Sequence, residues 1–249
     1  GGVVGYNNTG GIVIDCYNTG VVNGSSSYVG GVVGYNNTGG TVLNCYNAGG
    51  VNGSGVNVGD VGGVVGNNNT GAIVRNCYNT NLVVGDHFVG GVVGHNLGGE
   101  VSGCYNSGDI NGSSISGGVV GYNNTGGIVV DCYNTGGVIC SGYDVGGVVG
   151  YNYGIEVSAC YNTGMVSGSF NVGGVIGSNA GTGTVTNSYY NSDVYRDGDS
   201  MSGVTGKTTA QFASGEVAYL LQDAQEEVEG VKPQVWGQTL SGETPDQYP

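Results

Sequence analysis

Residues 30–53 read GGVVGYNNTGGTVLNCYNAGGVNG, and close variants of this stretch occur seven times along the 249 residues. The Gly-Gly pairs that open the copies begin at Gly1, Gly30, Gly62, Gly90, Gly117, Gly146 and Gly173. The copies recur at intervals of roughly 27 to 32 residues, a period typical of proteins built from stacked repeats. The repeat therefore decides the fold class, and we expect most residues to serve the stacking of coils.

Each copy contains three short apolar runs separated by Gly and Asn. In the first copy the runs lie at residues 3–4, 12–17 and 21–23. Runs of Val, Ile and Tyr bounded by such turn residues predict β-strands. Repeated in register, they predict an all-β fold: a parallel β-helix (β-solenoid) of about seven coils with three strands each, whose strands pair at about 4.8 Å.

Columns of the repeat predict which side chains fill the lumen. The position three residues before the Cys is always Val, from Val13 to Val185, and the position six residues after it is Val or Ile, from Val22 to Val166. The Cys position holds Cys16, Cys45, Cys77, Cys104, Cys132, Cys160 and Ser188. Strict strand alternation would point Cys outward. We favour inward Cys, because the Asp, Asn, Gly or Ala before it suggests a bulge.

An Asn follows each Gly-Gly-x-x-Gly unit without exception. The column is Asn7, Asn36, Asn68, Asn96, Asn123, Asn152 and Asn179. A stacked amide can hydrogen-bond its copies above and below, and Asn tolerates the left-handed conformation of a corner. We interpret this column as structural.

The charge of the chain excludes two classes of partner. The net charge is −14, with only four Lys or Arg residues. Phosphate binding needs clustered basic residues, so nucleic acid is excluded, as is attraction to an anionic membrane. Apolar runs are too short to span a bilayer, so no membrane insertion is expected. Because the sequence opens inside a repeat, we expect further domains of the same parent chain.

The units Gly-Gly-Val-Val-Gly-Tyr-Asn and Asp/Asn-Cys-Tyr-Asn-Thr-Gly closely resemble the GLUG repeat of bacterial surface proteins, over residues 1 to about 191. A segment that often follows such repeats resembles residues 211–221 and 235–238. The resemblance implies a β-solenoid module in large secreted or wall-attached bacterial proteins, including adhesins and IgA-cleaving metallopeptidases. It implies no catalytic activity for the repeats themselves.

The sequence predicts no catalytic, cofactor-binding or metal-binding residues. His87 and His95 do not form the zinc motif H-E-x-x-H, and we interpret His95 as a solvated surface residue. The Cys residues lack C-x-x-C spacing, and in-register side chains fit disulfide geometry poorly, so we expect stacked free thiols. Cys140, outside the column, is expected to be the more reactive or exposed thiol. We interpret the acidic segment 193–199 as a solvated turn.

Two rival functions remain open from the sequence. Some parallel β-helices cleave polysaccharides with paired carboxylates. Asp15 and Asp131 share a column but lie about 19 Å apart by strand spacing, which is too far for paired catalysis. Outward Thr columns resemble ice-binding faces, although their place beside Gly makes them turn residues first. Acidic residues facing a groove would favour the enzyme, and a flat Thr face would favour ice binding.

The composition changes after residue 207, and we divide the chain into repeats (1–195) and a capping segment with a flexible tail (196–249). Thr208 or Thr209 can cap a helix that runs to about Glu227. We expect its apolar residues Phe212, Val217, Leu220 and Leu221 to cover the lumen of the last coil, with Trp236 behind them. The final residues, 241–249, are expected to be disordered.

Taken together, these patterns predict a structural or adhesive module and not an enzyme. We expect it to lie outside the cell, secreted or associated with the cell wall, as a rigid spacer whose outer faces bind a host surface or polysaccharide. The alternative is a carbohydrate-active β-helix protein that binds or cleaves polysaccharide. No cofactor is expected.

Overall fold

The structure is a computed structural model that describes residues 1–25, 27–55, 59–195, 201–225, 227, 232–238 and 249. Within these residues the strands form five sheets, and each strand pairs in parallel with its copy in the next coil. Val33 faces Val65 and Asn36 faces Asn68, so the repeat is in register. The predicted all-β parallel solenoid of about seven coils is confirmed.

The five sheets are numbered in the order in which a coil visits them. Sheet 1 contains Val4–Asn7, Val33–Asn36, Val65–Asn68, Val93–Asn96, Val120–Asn123, Val149–Asn152 and Ile176–Asn179. Sheet 2 contains Ile12–Ile14, Thr41–Leu43, Ile73–Arg75, Glu100–Ser102, Ile128–Val130, Glu156–Ser158 and Thr184–Thr186. Sheet 3 contains Tyr17–Asn18, Tyr46–Asn47, Tyr78–Asn79, Tyr105–Asn106, Tyr133–Asn134, Tyr161–Asn162, Ser188–Asn191 and Val204–Lys207.

The other two sheets complete the coil. Sheet 4 contains Val22–Gly24, Val51–Gly53, Val83–Gly85, Ile110–Gly112, Val138–Cys140 and Val166–Ser167. Sheet 5 contains Tyr28–Gly30, Asp60–Gly62, Phe88–Gly90, Ile115–Gly117, Tyr143–Gly146 and Phe170–Gly173.

A full coil thus has five short strands where the sequence predicted three. The predicted run 12–17 is divided at Asp15, whose φ of 53° is left-handed. The residue before the Cys position has positive φ in every coil: Asp15, Asn44, Asn76, Gly103, Asp131, Ala159 and Asn187. This single left-handed residue, in place of the predicted bulge, bends the chain and resets the alternation of side chains. The fifth strand, Tyr28–Gly30 in the first coil, follows the third predicted run and was not predicted.

The lumen is filled by the predicted columns. Val42, Val74, Val101, Val129 and Val157 are fully buried, and so are Cys45, Cys77, Cys104, Cys132 and Cys160. The inward direction of the Cys column is therefore confirmed. Because the bend occurs immediately before the Cys, the Tyr that follows it turns outward.

Two ladders of buried amides run along the solenoid. In the predicted column, each Asn donates from Nδ2 to Oδ1 of its copy in the next coil at 2.7–2.9 Å, from Asn7 to Asn179. These Asn residues lie in strands, so the expectation of a left-handed corner there was wrong. A second ladder, missed in the sequence, links the Asn after Cys-Tyr at 2.8 Å: Asn18, Asn47, Asn79, Asn106, Asn134 and Asn162.

The second Gly of each pair leaves room for this second ladder. A Cβ on Gly91 would lie 2.0 Å from the Gly118 carbonyl oxygen and 2.4 Å from Cγ of Asn106. Any larger residue would therefore push the next coil and the amide ladder out of register.

The C-terminal segment forms two short helices, α1 (Thr209–Ala213) and α2 (Glu216–Asp223). Thr208 caps α1 in a capping box with Gln211, as predicted from its residue type. The predicted single helix is divided at Gly215, which has a φ of 82°. Its predicted end falls beyond α2, and residues 226 and 228–231 lie outside the described part of the chain.

The expected position of this cap was wrong. Phe212, Val217 and Leu221 pack with Tyr161 and Tyr189 on the outer side of sheet 3, not over the lumen. The lumen of the last coil is covered instead by Tyr190, Tyr195 and Val204, with Met201 packed against them. The strand Val204–Lys207 also pairs with Ser188–Asn191 and so covers the edge of sheet 3. None of the helices in the described residues is long and apolar enough to cross a membrane.

Candidate functional site

The outer face of sheet 3 carries a continuous row of stacked tyrosines, which we call the tyrosine ladder. Its members are Tyr17, Tyr46, Tyr78, Tyr105, Tyr133 and Tyr161. Neighbouring ring centroids are 4.7–5.2 Å apart and the ring planes differ by 8° or less. The sequence contained every one of these residues in its Cys-Tyr-Asn units, but their direction depends on the left-handed residue before the Cys.

A row of polar side chains runs beside the ladder, two residues before each tyrosine. We call it the acceptor row, and it consists of Asp15, Asn44, Asn76 and Asp131, with gaps at Gly103 and Ala159. Asn44 donates from Nδ2 to Asp15 Oδ1 at 3.1 Å, and Asn76 donates to Asn44 Oδ1 at 3.4 Å. Asp15, Asn44 and Asn76 are exposed side chains, and Oδ1 of Asp15 and of Asn44 already accepts one bond from the next member of the row.

The C-terminal segment occupies one end of this surface. Trp236 is 6% exposed and lies against Tyr133 and Tyr161. Its Nε1 donates to Asp131 Oδ1 at 3.2 Å, and Gln225 Nε2 donates to the same oxygen at 2.8 Å. The two hydrogen bonds join residues 94 and 105 positions apart, so no local sequence pattern could predict them.

Asp131 also lines a cleft of about 380 Å³ between sheet 2 and the C-terminal segment, together with Glu156, Ser158, Gln225 and Pro233. Burial raises the pKa of Asp131 above its usual range, although the donors Gln225 and Trp236 oppose the shift, and Glu156 adds to it. The carboxylate near Asp131 is therefore not Asp15, which shares its column, but Glu156 from the next coil.

The other aromatic column, on sheet 1, is interrupted. Tyr6 stacks on Tyr35, and His95 stacks on Tyr122 with centroids 4.9 Å apart, but Asn67 stands between the two pairs. The interpretation of His95 as a solvated residue was wrong, since its side chain is only 13% exposed. Its Nδ1 lies 3.4 Å from buried Asp60 Oδ2, and Asn124 Nδ2 donates to its Nε2 at 3.3 Å.

The thiols of the lumen have structural partners. Each Sγ donates to the carbonyl oxygen two residues earlier, at 3.2 Å for Cys45 and 3.1 Å for Cys132, and the backbone N–H of Cys45 donates to Cys77 Sγ. Ser188 Oγ makes the same bond to Thr186 at 2.9 Å, which explains why Ser is accepted there. Cys140 is 4% exposed and donates to Ser114 O at 2.8 Å, so its expected exposure was wrong.

These thiols should be free and largely unreactive in the native protein. A hydrogen bond with Cys77 and burial raise the pKa of Cys45, and burial raises that of Cys132, so little thiolate forms at these two positions. At Cys104 burial opposes but hydrogen bonds with its neighbours lower the pKa, so the protection of this thiol rests on its complete burial. We expect a thiol reagent at pH 8 to modify Cys16, the half-buried member, and to reach all seven only in denaturant. Mass spectrometry of non-reduced peptides provides the check, and a predominant Cys16–Cys45 disulfide would contradict it.

Two tyrosines of the ladder, Tyr105 and Tyr133, should titrate late, because burial raises the pKa of both phenols. Burial raises the pKa of Tyr133 from 10.0 to about 12, with a contribution from Tyr105. Because the folded-state pKa is raised, the stabilisation is complete below about pH 10, where unfolded Tyr ionises, and is lost as the pH rises to about 12. We expect the melting temperature to fall through this window. Absorbance of tyrosinate should rise together with unfolding, and early ionisation in the folded state would contradict this expectation.

In the part of the chain that the structure describes, no three His, Cys, Asp or Glu side chains are grouped to hold an ion. Asp197 and Asp199 of the acidic segment lie outside the described residues. The Thr column beside the ladder is interrupted by Ala48 and Ser107, and Thr163 is buried. A flat Thr face of the kind that would favour ice binding is therefore not formed there.

The in-register lumen and ladders define the protein as a parallel β-solenoid built from sequence repeats. A family model described as the GLUG motif matches residues 88–111 and 141–167, so the chain carries GLUG repeats and the resemblance is confirmed. Each matched segment makes one circuit, from sheet 5 through sheets 1, 2 and 3 to sheet 4. No curated protein and no solved structure gave a significant match.

Proposed function

We propose that this chain is a structural and adhesive repeat module that acts outside the cell, in a secreted or wall-attached bacterial protein. The observation that carries the proposal is the continuous stacking of about seven coils, through five sheets and two amide ladders. Such a stack resists bending because each coil is bonded to both neighbours. The net negative charge of the chain disfavours binding to nucleic acid and to anionic membranes. Neutral or basic partners are compatible with it, and these include host surfaces and polysaccharides.

The spacer role is tested by changing the number of coils. Inserting a second copy of residues 91–117, which make one repeat, directly after Gly117 should lengthen the molecule by about 4.8 Å, as measured by small-angle X-ray scattering. The adhesive role is tested by binding the labelled chain to arrays of polysaccharides and extracellular matrix proteins. Location is tested by protease treatment of intact source cells. A chain protected inside the cytoplasm would overturn the proposal.

A second candidate, polysaccharide cleavage, is favoured by the cleft that contains Asp131 and Glu156. A carboxyl group with a raised pKa beside a second carboxylate is the pair that glycoside hydrolysis uses. Asp131 is also an acceptor for the C-terminal segment, which supports a structural role. Release of reducing sugar that is lost in both Asp131→Asn and Glu156→Gln would establish the enzyme, while no release from any tested polysaccharide would support the module.

A further inference from the structure

The C-terminal segment shows how an aromatic side chain can dock on the tyrosine ladder. The Trp236 ring centroid lies 5.6 Å from that of Tyr161 and 6.2 Å from that of Tyr133, at interplanar angles of 61° and 62°. The indole thus crosses two neighbouring rungs, and its N–H reaches the acceptor row at Asp131. Docking combines aromatic contacts with two rings and one hydrogen bond.

The stacking of the ladder determines what kind of group fits it. Rings stacked within 8° of parallel hide their faces against one another and present their edges outward. Ring edges carry partial positive charge and ring faces partial negative charge, so an edge prefers the face of another aromatic ring. The ladder therefore favours a planar aromatic partner such as indole.

The same surface continues beyond the C-terminal segment. Among the described residues, the cluster around Phe212 and Trp236 reaches Tyr133 at its margin and includes none of the earlier ladder tyrosines. Tyr17 is 59% exposed, and Tyr46, Tyr78 and Tyr105 are half-buried by their own neighbours. This open part of the ladder is continuous with the occupied part, at unchanged ring spacing.

The hydrogen-bond acceptor is repeated as well. Asp131 stands two residues before Tyr133, and Asp15, Asn44 and Asn76 stand two residues before Tyr17, Tyr46 and Tyr78. Each combines an acceptor oxygen with a pair of ladder rings. Three positions thus reproduce the Trp236 arrangement, and the fourth, at Gly103, lacks the acceptor.

We propose that the open ladder, from Tyr17 to Tyr105, is a docking surface for peptide segments of other proteins that present a tryptophan side chain. The net charge of −14 disfavours acidic partners, so the segment is neutral or basic around its tryptophan. The proposal specifies the partner for the adhesive role described above and rests on that role. Its failure would leave the spacer role, which depends on coil stacking alone, unaffected.

The test uses the full chain with isotope-labelled tyrosine rings and a synthetic peptide with the sequence of residues 232–238, which contains Trp236 and one Lys. NMR titration should show saturable shifts of Tyr17, Tyr46, Tyr78 and Tyr105. The peptide carrying Trp236→Ala should not bind at the same concentrations. The ring signals distinguish two binding events. Docking on the open ladder shifts the four tyrosines named above, whereas displacement of the chain's own Trp236 by the peptide would shift Tyr133 and Tyr161.

A double variant, Asn44→Gly with Asn76→Gly, isolates the acceptor row. Both positions are left-handed, with φ of 53°, and Gly103 shows that the column accepts Gly, so the fold should persist. Loss of one hydrogen bond should weaken peptide binding at Tyr46 and Tyr78 about fivefold. The matched control Asn111→Gly, exposed on sheet 4, should leave binding unchanged.

Three results would overturn the proposal. They are an absence of shifts at millimolar peptide, shifts restricted to Tyr133 and Tyr161, and equal binding of the Trp236→Ala peptide. Sedimentation of the chain alone tests whether a second copy of the chain occupies the ladder. Concentration-dependent dimers that protect Tyr17 to Tyr105 would show that it does and would overturn the proposal.

Discussion

Ending the chain after Val194 should lower the melting temperature by many degrees and cause the solenoid to associate end to end. The deletion removes Tyr195, Met201 and Val204 from the lumen of the last coil and leaves Tyr190 uncovered. Each large side chain returned to water costs about 1.5–3 kcal/mol. It also removes the strand that covers the edge of sheet 3, and open parallel edges recruit other strands.

A second deletion separates the two parts of the C-terminal segment. A chain that ends after Lys207 keeps the lumen cover and the strand Val204–Lys207 but loses both helices and Trp236. It should melt at an intermediate temperature and remain monomeric. Calorimetry and analytical ultracentrifugation provide the measurements. If the chain ending after Val194 stays monomeric with unchanged melting, the segment is a linker and not a cap.

Asn106→Ala should destabilise the protein by about 3–5 kcal/mol, because it breaks the second amide ladder at its centre. Asn106 is fully buried, donates to Gly108 O at 2.6 Å and Asn134 Oδ1 at 2.8 Å, and accepts from Asn79 at 2.8 Å. Each buried polar group left without its partner costs about 1–3 kcal/mol. In a stacked-repeat protein this loss falls on the interfaces with both neighbouring coils.

The matched control is Asn111→Ala, at an exposed position one strand further along the chain. Surface substitutions of this kind usually change stability by less than about 0.5 kcal/mol. Chemical denaturation of the two variants beside the parent chain gives the comparison. Equal stability of the two variants would show that the ladder is not a main source of stability.

The sequence by itself determined the stacking. Because copies in register place identical residues directly above one another, a column that is always Val must be compatible with one environment in every coil. The Val13 to Val185 column and the Asn7 to Asn179 amide ladder could therefore be predicted without coordinates. The inward Cys was also predicted, but from a bulge where the structure has a left-handed residue. The same reasoning gave the number of coils.

The shape of the coil depended on a feature that the residue types hide. Asp15, Gly103 and Ala159 share one left-handed backbone conformation although their side chains have little in common. That conformation divides the predicted second strand and turns the tyrosines outward into a ladder. Residue patterns predict alternation along a strand, but a change in its phase is set by backbone dihedral angles.

Only the tertiary structure placed the C-terminal segment on the tyrosine ladder. Its helical pattern and the Thr208 cap were readable, since both are local. Its docking site was not, because Trp236 meets Asp131 across 105 positions and the choice between lumen and outer face depends on surfaces formed by folding. Cys140 and His95 were misjudged for the same reason: partners from neighbouring coils bury them.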